Sequence, residues 1–215
     1  MNKSMKRILL FLTIIILIMW YPFLNNAIKM VNHNIGDVID SHNEIPVYFN
    51  GSTDTSLGRN KSKDGYNYGL KYQCVEFVKR YYYDYLNHKM PNTFGHAKDF
   101  FDSELKDGEI NQERNLIQYQ NGSQSKPKVD DIIVFDATVF NPFGHVAIVS
   151  HVLEDEIVLV QQNAGRFSNP RTIIPLIKEE QVWKLDNNRI LGWLRIKSEN
   201  GNNKASHRFF NGSRY

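Results

Sequence analysis

Residues 8–24 form an apolar run broken only by Thr13, Tyr21 and Pro22, and the chain behind it changes character at once. Residues 25–45 are polar and aperiodic, as a tether between two units would be. A short edge strand is expected at Ile45-Pro-Val-Tyr-Phe49, where Pro46 limits pairing. Residues 50–68, rich in Gly, Ser, Asn, Asp and Lys, read as a surface loop. Next, Cys74, Phe77, Val78, Tyr81 and Tyr85 recur at spacings of three and four, which predicts a helix with one apolar stripe. Its other side carries Glu76, Lys79, Arg80, Tyr83 and Asp84, expected to face solvent, and Pro91 stops it. A second helix is expected over 96–106 and a polar connection over 107–129. From there the pattern becomes strand-like, at 131–135, 145–152, 156–162 and 190–196, with β-branched residues and short turns. A helix early and an antiparallel sheet late define an α+β domain with the helix packed on the sheet. From Lys197 the chain is Ser, Asn, Gly, His and Arg, a composition expected to be disordered.

The apolar run is 17 residues, about 25 Å as a helix, at the short end of a membrane span. Lys3, Lys6 and Arg7 precede it, which predicts a signal-anchor with a cytoplasmic N-terminus and the rest of the chain outside the membrane. A cleaved signal peptide would release the same domain, although only the weak site Asn26-Ala27 follows the run. The expected division is therefore a membrane segment (1–24), a linker (25–44), one domain (45–196) and a polar tail (197–215). Lys and Arg total 26 against 23 Asp and Glu, and they are interspersed, with no basic stripe carrying aromatics. Nucleic acid is not an expected partner. A single cysteine excludes an internal disulfide and a cysteine-rich zinc site.

That cysteine, Cys74, lies in the first turn of the expected helix, where the macrodipole favours a thiolate. A thiol nucleophile needs a base, and the base needs an orienting partner. His145 is the candidate base, at the mouth of a strand directly after Gly144, whose missing side chain admits another segment or a substrate. His151 shares that strand face but lies about 20 Å further along. Gln161 and Asn163 share a face of the next strand, and either amide oxygen could fix the imidazole tautomer. The oxyanion donors would be the Cys74 backbone N–H and the Gln73 side chain. Lys79 and Arg80 could draw an anionic substrate group, or merely be solvated. Phosphate loops, zinc helices, serine elbows and calcium loops are absent from the sequence.

Lys71-Tyr-Gln-Cys-Val-Glu-Phe77 and Gly144-His-Val-Ala-Ile-Val149 resemble the CHAP superfamily of cysteine amidohydrolases and peptidases, as do Val160-Gln-Gln-Asn163 and Ile190-Leu-Gly-Trp-Leu194. Within it the match is most similar to the amidase domain of glutathionylspermidine synthetase/amidase. The resemblance covers about residues 45–196. It implies a papain-like (CHAP/NlpC-P60-type) fold, Cys74 as nucleophile, His145 as base, Gln73 beside the thiol and no cofactor. It also implies hydrolysis of an amide, in peptidoglycan peptides or in a glutathionylspermidine-type substrate. Two departures stand out. Gln161 occupies a position where those relatives carry glutamate, so it can orient the imidazole but not neutralise it, and Lys79 replaces an arginine. An impaired, purely binding module and an antibacterial toxin or lysin are the other classes such a chain could represent.

Overall fold

The computed structural model describes residues 3–31, 33–52, 55–165 and 168–197. The expectation for the tail beyond Lys197 lies outside the described residues. In chain order the elements are α1 (Lys3–Val31), β1 (Val38–His42), β2 (Ile45–Tyr48), β3 (Arg59–Lys61), β4 (Asn67–Leu70) and α2 (Cys74–Asp84). They continue with β5 (Ile110–Asn111), β6 (Leu116–Gln120), β7 (Ile132–Phe135), β8 (His145–Val152) and β9 (Glu156–Val160). β10 (Arg171–Glu179), β11 (Val182–Leu185) and β12 (Ile190–Arg195) complete the chain. Within α1, Ser4–Tyr21 is long and apolar enough to cross a membrane.

Eight strands form one antiparallel sheet in the order β11-β10-β9-β8-β7-β12-β6-β5. Alternation along β8 splits its buried residues between two cores. Val146 and Ile148 join Cys74, Phe77, Val78 and Tyr81 beneath α2. Ala147 and Val149 face Ile133, Leu159, Leu185 and Trp193, all from the sheet's own strands. No helix among the described residues covers this second core, so the sheet must curl around it. A bridge between Ser123, just past β6, and Trp183 of β11 draws the two sides of the curl together. Strands between two cores are buried on both faces, which explains why β7 reads as an uninterrupted apolar run.

Two small ribbons, β1–β2 and β3–β4, flank α2. They alter the helix from what its pattern predicts. Glu76, Lys79 and Arg80, expected in solvent, are buried, whereas Tyr85 of the expected apolar stripe is exposed. The approach of β4 is close: a Cβ on Gly69 would lie 3.3 Å from the Glu76 nitrogen. Glu76 is accommodated by pairing. It accepts from Arg80 Nε at 2.6 Å, Asn60 Nδ2 at 2.7 Å and Gln162 Nε2 at 2.8 Å. A buried carboxylate needs this many partners to offset its lost hydration.

Three other expectations change. The stretch expected as linker, 25–44, contains the end of α1 and all of β1, whose polar side chains hide a strand that pairs with β2. The helix expected over 96–106 is reduced to one 3-10 turn at Lys98–Phe100. There Lys98 N donates to Phe143 O and Asp102 N to Gln118 Oε1, so these donors are spent outside any helical ladder. The connection at 107–129 holds β5 and β6, disguised because the buried core position Gln118 is polar and satisfied by Asp102 and Asn111. β10 and β11 add a hairpin that half-exposed side chains conceal.

Gly144 shows what the turn into β8 requires. Its φ is +73°, and a Cβ there would meet Phe135 O at 2.6 Å and Lys98 Cβ at 2.9 Å. The segment its bareness admits is the 3-10 turn. Gly144→Ala should therefore cost about 2–5 kcal/mol of stability, read from the midpoint of urea unfolding, because backbone strain and overpacking add.

Candidate active site

α2 begins at Cys74, with Gln73 as its extended N-cap. The thiol is 9% exposed and lies under β8. Burial pushes its pKa up, opposed by the backbone N–H groups of Val146, Val75 and Cys74 itself, which favour the sulfur anion. Two of these donors belong to the helix's unsatisfied first turn. The third is the residue immediately after His145, so thiol and candidate base meet the same end of β8.

His145 is 6% exposed, with its ring centroid 5.7 Å from that of Phe135. Its Nε2 lies 3.1 Å from Gln161 Oε1. The direction of this bond follows from Gln161's other end, where Nε2 donates to Asn169 O at 3.0 Å. With its NH2 committed there, the amide turns its oxygen to the imidazole, which must carry its proton on Nε2. Nδ1 is left as a lone pair. Burial lowers the His145 pKa to about 4, with the Gln161 bond opposing and the positive charge of Arg189 reinforcing the shift. No hydrogen bond joins the thiol to the imidazole in this state, and both groups are neutral near pH 7. Such bonds often tighten only around substrate.

The two expected orienting amides take separate places. Gln161 reaches the imidazole; Asn163, at φ +54°, donates instead to Gln73 Oε1 at 2.6 Å. Gln73 Nε2 donates to Thr55 O at 2.8 Å, so the expected oxyanion donor spends a hydrogen on the loop before β3. His151 sits at the far end of β8, bonded to Ser150 Oγ at 3.1 Å, away from the thiol. Lys79 does not face a substrate. It is buried, its Nζ donates to the carbonyls of Asn67 and Thr93, and burial with the fields of Arg114 and Arg59 lowers its pKa to about 7. Its register on α2 is filled by β4, so the expected anion-binding role is corrected. Arg80 likewise points away, onto Glu76 and Pro46 O.

A residue that pattern reading overlooked holds the arrangement together. Gln162 is fully buried; its Nε2 donates to Gln73 O and Glu76 Oε2, and its Oε1 accepts from Tyr48 N. It clamps the end of β9 to the start of α2 and to β2. The signal was present: Gln162 has the parity of core residue Val160, and a polar side chain on a core parity must have partners. A cavity of about 430 Å³ opens beside the thiol between Thr55, Arg59, Thr93, His96 and Phe143. Among the described residues no group of three or more His, Cys, Asp or Glu side chains is placed to hold a metal ion.

The CHAP domain family model matches residues 63–163, a span that includes Cys74, His145, Gln161 and Asn163. Residues 63–163 are thus similar to a CHAP domain. The chain is 29% identical over 119 residues to trypanothione synthetase of Crithidia fasciculata, covering 55% of the chain and 18% of that enzyme. It is 30% identical over 141 residues to glutathionylspermidine synthase of the same organism, covering 60% and 19%. The chain thus spans about a fifth of the length of these curated relatives. Two solved structures of Ly7917, one with the hydrolyzing product of MDP, share 17% identity with it. Their TM-scores are 0.35 and 0.37, covering 58% and 80% of this chain and 53% and 62% of theirs, too low to bear on the site.

Replacing Gln161 by glutamate isolates what the neutral amide does. A carboxylate beside Nε2 should raise the His145 pKa by about 1–3 units, visible in an NMR titration of the imidazole. The same change loses the donor to Asn169 O, so Gln161→Glu should also destabilise the fold by about 1–3 kcal/mol.

Proposed function

We propose that the protein is an exported, cysteine-dependent amidase or peptidase with a papain-like α+β domain over about residues 45–196. Cys74 is the nucleophile, His145 the base and Gln161 the residue that orients it. The observation that carries this reading is the Asn169–Gln161–His145 chain of hydrogen bonds. It leaves Nδ1 as acceptor on the residue preceding Val146, whose N–H meets the sulfur.

In the reaction, His145 Nδ1 takes the thiol proton as Sγ attacks the amide carbonyl carbon. The carbonyl oxygen becomes the oxyanion, and the N–H groups of Cys74 and Val75 are the nearest donors for it. Collapse breaks the C–N bond while the imidazolium returns its proton to the leaving amine. Water, deprotonated by the same imidazole, then releases the acyl group from the thioester. Asn163 has an indirect part, holding Gln73 at the helix start, and Gly144 sets the turn that delivers His145.

Residues 8–24 are proposed to span the membrane, with Lys3, Lys6 and Arg7 in the cytoplasm and the domain outside; cleavage of the segment would secrete it. An exported domain reaches peptidoglycan peptides, whereas similarity to the two Crithidia enzymes favours a glutathionylspermidine-type amide. Incubating the full-length protein in detergent with each substrate, and identifying released amines by mass spectrometry, tests both. No release from either would sink the hydrolase assignment. A second reading, a binding module without turnover, draws on the missing thiol–imidazole bond and the neutral Gln161. It requires that a substrate protect Cys74 from alkylation without being turned over.

A further inference from the structure

The lining of the cavity beside Cys74 is basic, although the Asp99 carboxylate lies behind it, accepting from His96 N at 2.7 Å. Arg59 lines the cavity, and among the described residues no aspartate or glutamate does. Arg59 forms no ion pair with a described residue; its guanidinium carbon instead stands 4.9 Å from the centroid of Phe94. Behind the same wall lie two more basic side chains, Lys79, whose pKa burial lowers to about 7, and Arg114. Lys79 donates to Thr93 O, and Thr93 itself lines the cavity. Arg114 is held by the carbonyls of Asn92, Phe94 and Asp99, with the Glu113 and Asp99 carboxylates near enough to favour its charge. The Arg59 backbone pairs with Leu70 in the β3–β4 ribbon, four residues before the thiol, and its side chain is exposed. Hydroxyls of Thr55, Ser56 and Thr93 complete a polar side to the cavity.

We propose that this cavity receives the acyl half of the substrate and that Arg59 binds a free carboxylate on it, making the protein selective for anionic amides. The inference rests on the hydrolase reading for its purpose but not for its test. A guanidinium without a neutralising partner, facing a cavity free of acidic side chains, is a binding group for a planar anion. The cation–π contact with Phe94 does not consume its N–H donors. The substrate class that follows is a peptide bearing a carboxylate a short distance on the acyl side of the scissile amide, rather than a neutral or cationic one.

Cys74 is the only thiol, so its alkylation reports the local field directly. Full-length protein would be alkylated with iodoacetate and with iodoacetamide at pH 8, above the range in which histidine titrates. The ratio of the two rates removes differences in thiol reactivity. In Arg59→Gln the ratio of anionic to neutral reagent should fall about fivefold, as for loss of one partly solvated charge pair, and Arg59→Lys should restore part of it. Raising the salt should shrink the wild-type ratio toward that of the variant. An unchanged ratio in Arg59→Gln, with circular dichroism intact, overturns the proposal even if amides are hydrolysed. A changed ratio upholds it even if none is. Protection of Cys74 from iodoacetamide by S-methylglutathione or by a D-alanine-terminated stem peptide, but not by the matching carboxamides, then names the source of the carboxylate.

Discussion

Cys74→Ala should abolish amine release, with a fall in kcat on the order of a millionfold, the scale on which proteases lose turnover without their nucleophile. The fold should survive the change. Removing one sulfur leaves a small gap beneath Val146 among well-packed neighbours, a loss of about 1–2 kcal/mol by cavity arguments, so circular dichroism and the urea midpoint should move little. Mass spectrometry should find an acyl adduct on wild-type protein trapped with a slow substrate and none on the variant. A variant that keeps more than a few per cent of wild-type turnover would assign the chemistry to another group.

His145→Gln should lower kcat by about a hundred- to ten-thousandfold, the usual contribution of a positioned base. It should also reshape the acid limb of stability. In the folded protein the imidazole titrates at about 4, whereas an unfolded histidine does so near 6.5. Between those values the unfolded chain binds a proton that the native chain refuses, so stability rises with pH across this window and is lost as pH falls through it. The loss from this one group amounts to roughly 3 kcal/mol between pH 6.5 and 4. Thermal unfolding across this window should therefore flatten in His145→Gln. In wild type, kcat/KM should climb through about pH 4 and then stay level until the thiol itself begins to ionise. Identical acid limbs in the two proteins would mean that the imidazole is hydrated in solution rather than buried.

The residues placed at the centre of the site were legible because each combines a chemical type with a backbone signal. Cys74 opens a periodic apolar stripe, and His145 follows a glycine at the start of an alternating strand. What stayed hidden lay where burial and polarity disagree. Glu76, Lys79 and Arg80 read as a solvated face, since a lone helix pattern cannot reveal two ribbons folding over it. Gln118 and Gln162 are core amides, and a window that scores hydrophobicity counts them as interruptions. The helix expected over 96–106 failed for a related reason: the N–H of Asp102, in its middle, finds its acceptor in the distant Gln118. Choosing between Gln161 and Asn163 needed a third residue, Asn169, whose carbonyl fixes the way the Gln161 amide turns.

The seam between Ser123 and Trp183 has an effect on company as well as on shape. Trp183 both donates to Ser123 O at 2.7 Å and accepts from Gly122 N at 3.0 Å, so the outer margin of β11 is occupied along its middle. At the other margin stands β5, only two residues long. A sheet finished in this way offers a passing chain almost no template on which to add a strand. Copies crowded side by side would tend to remain separate molecules.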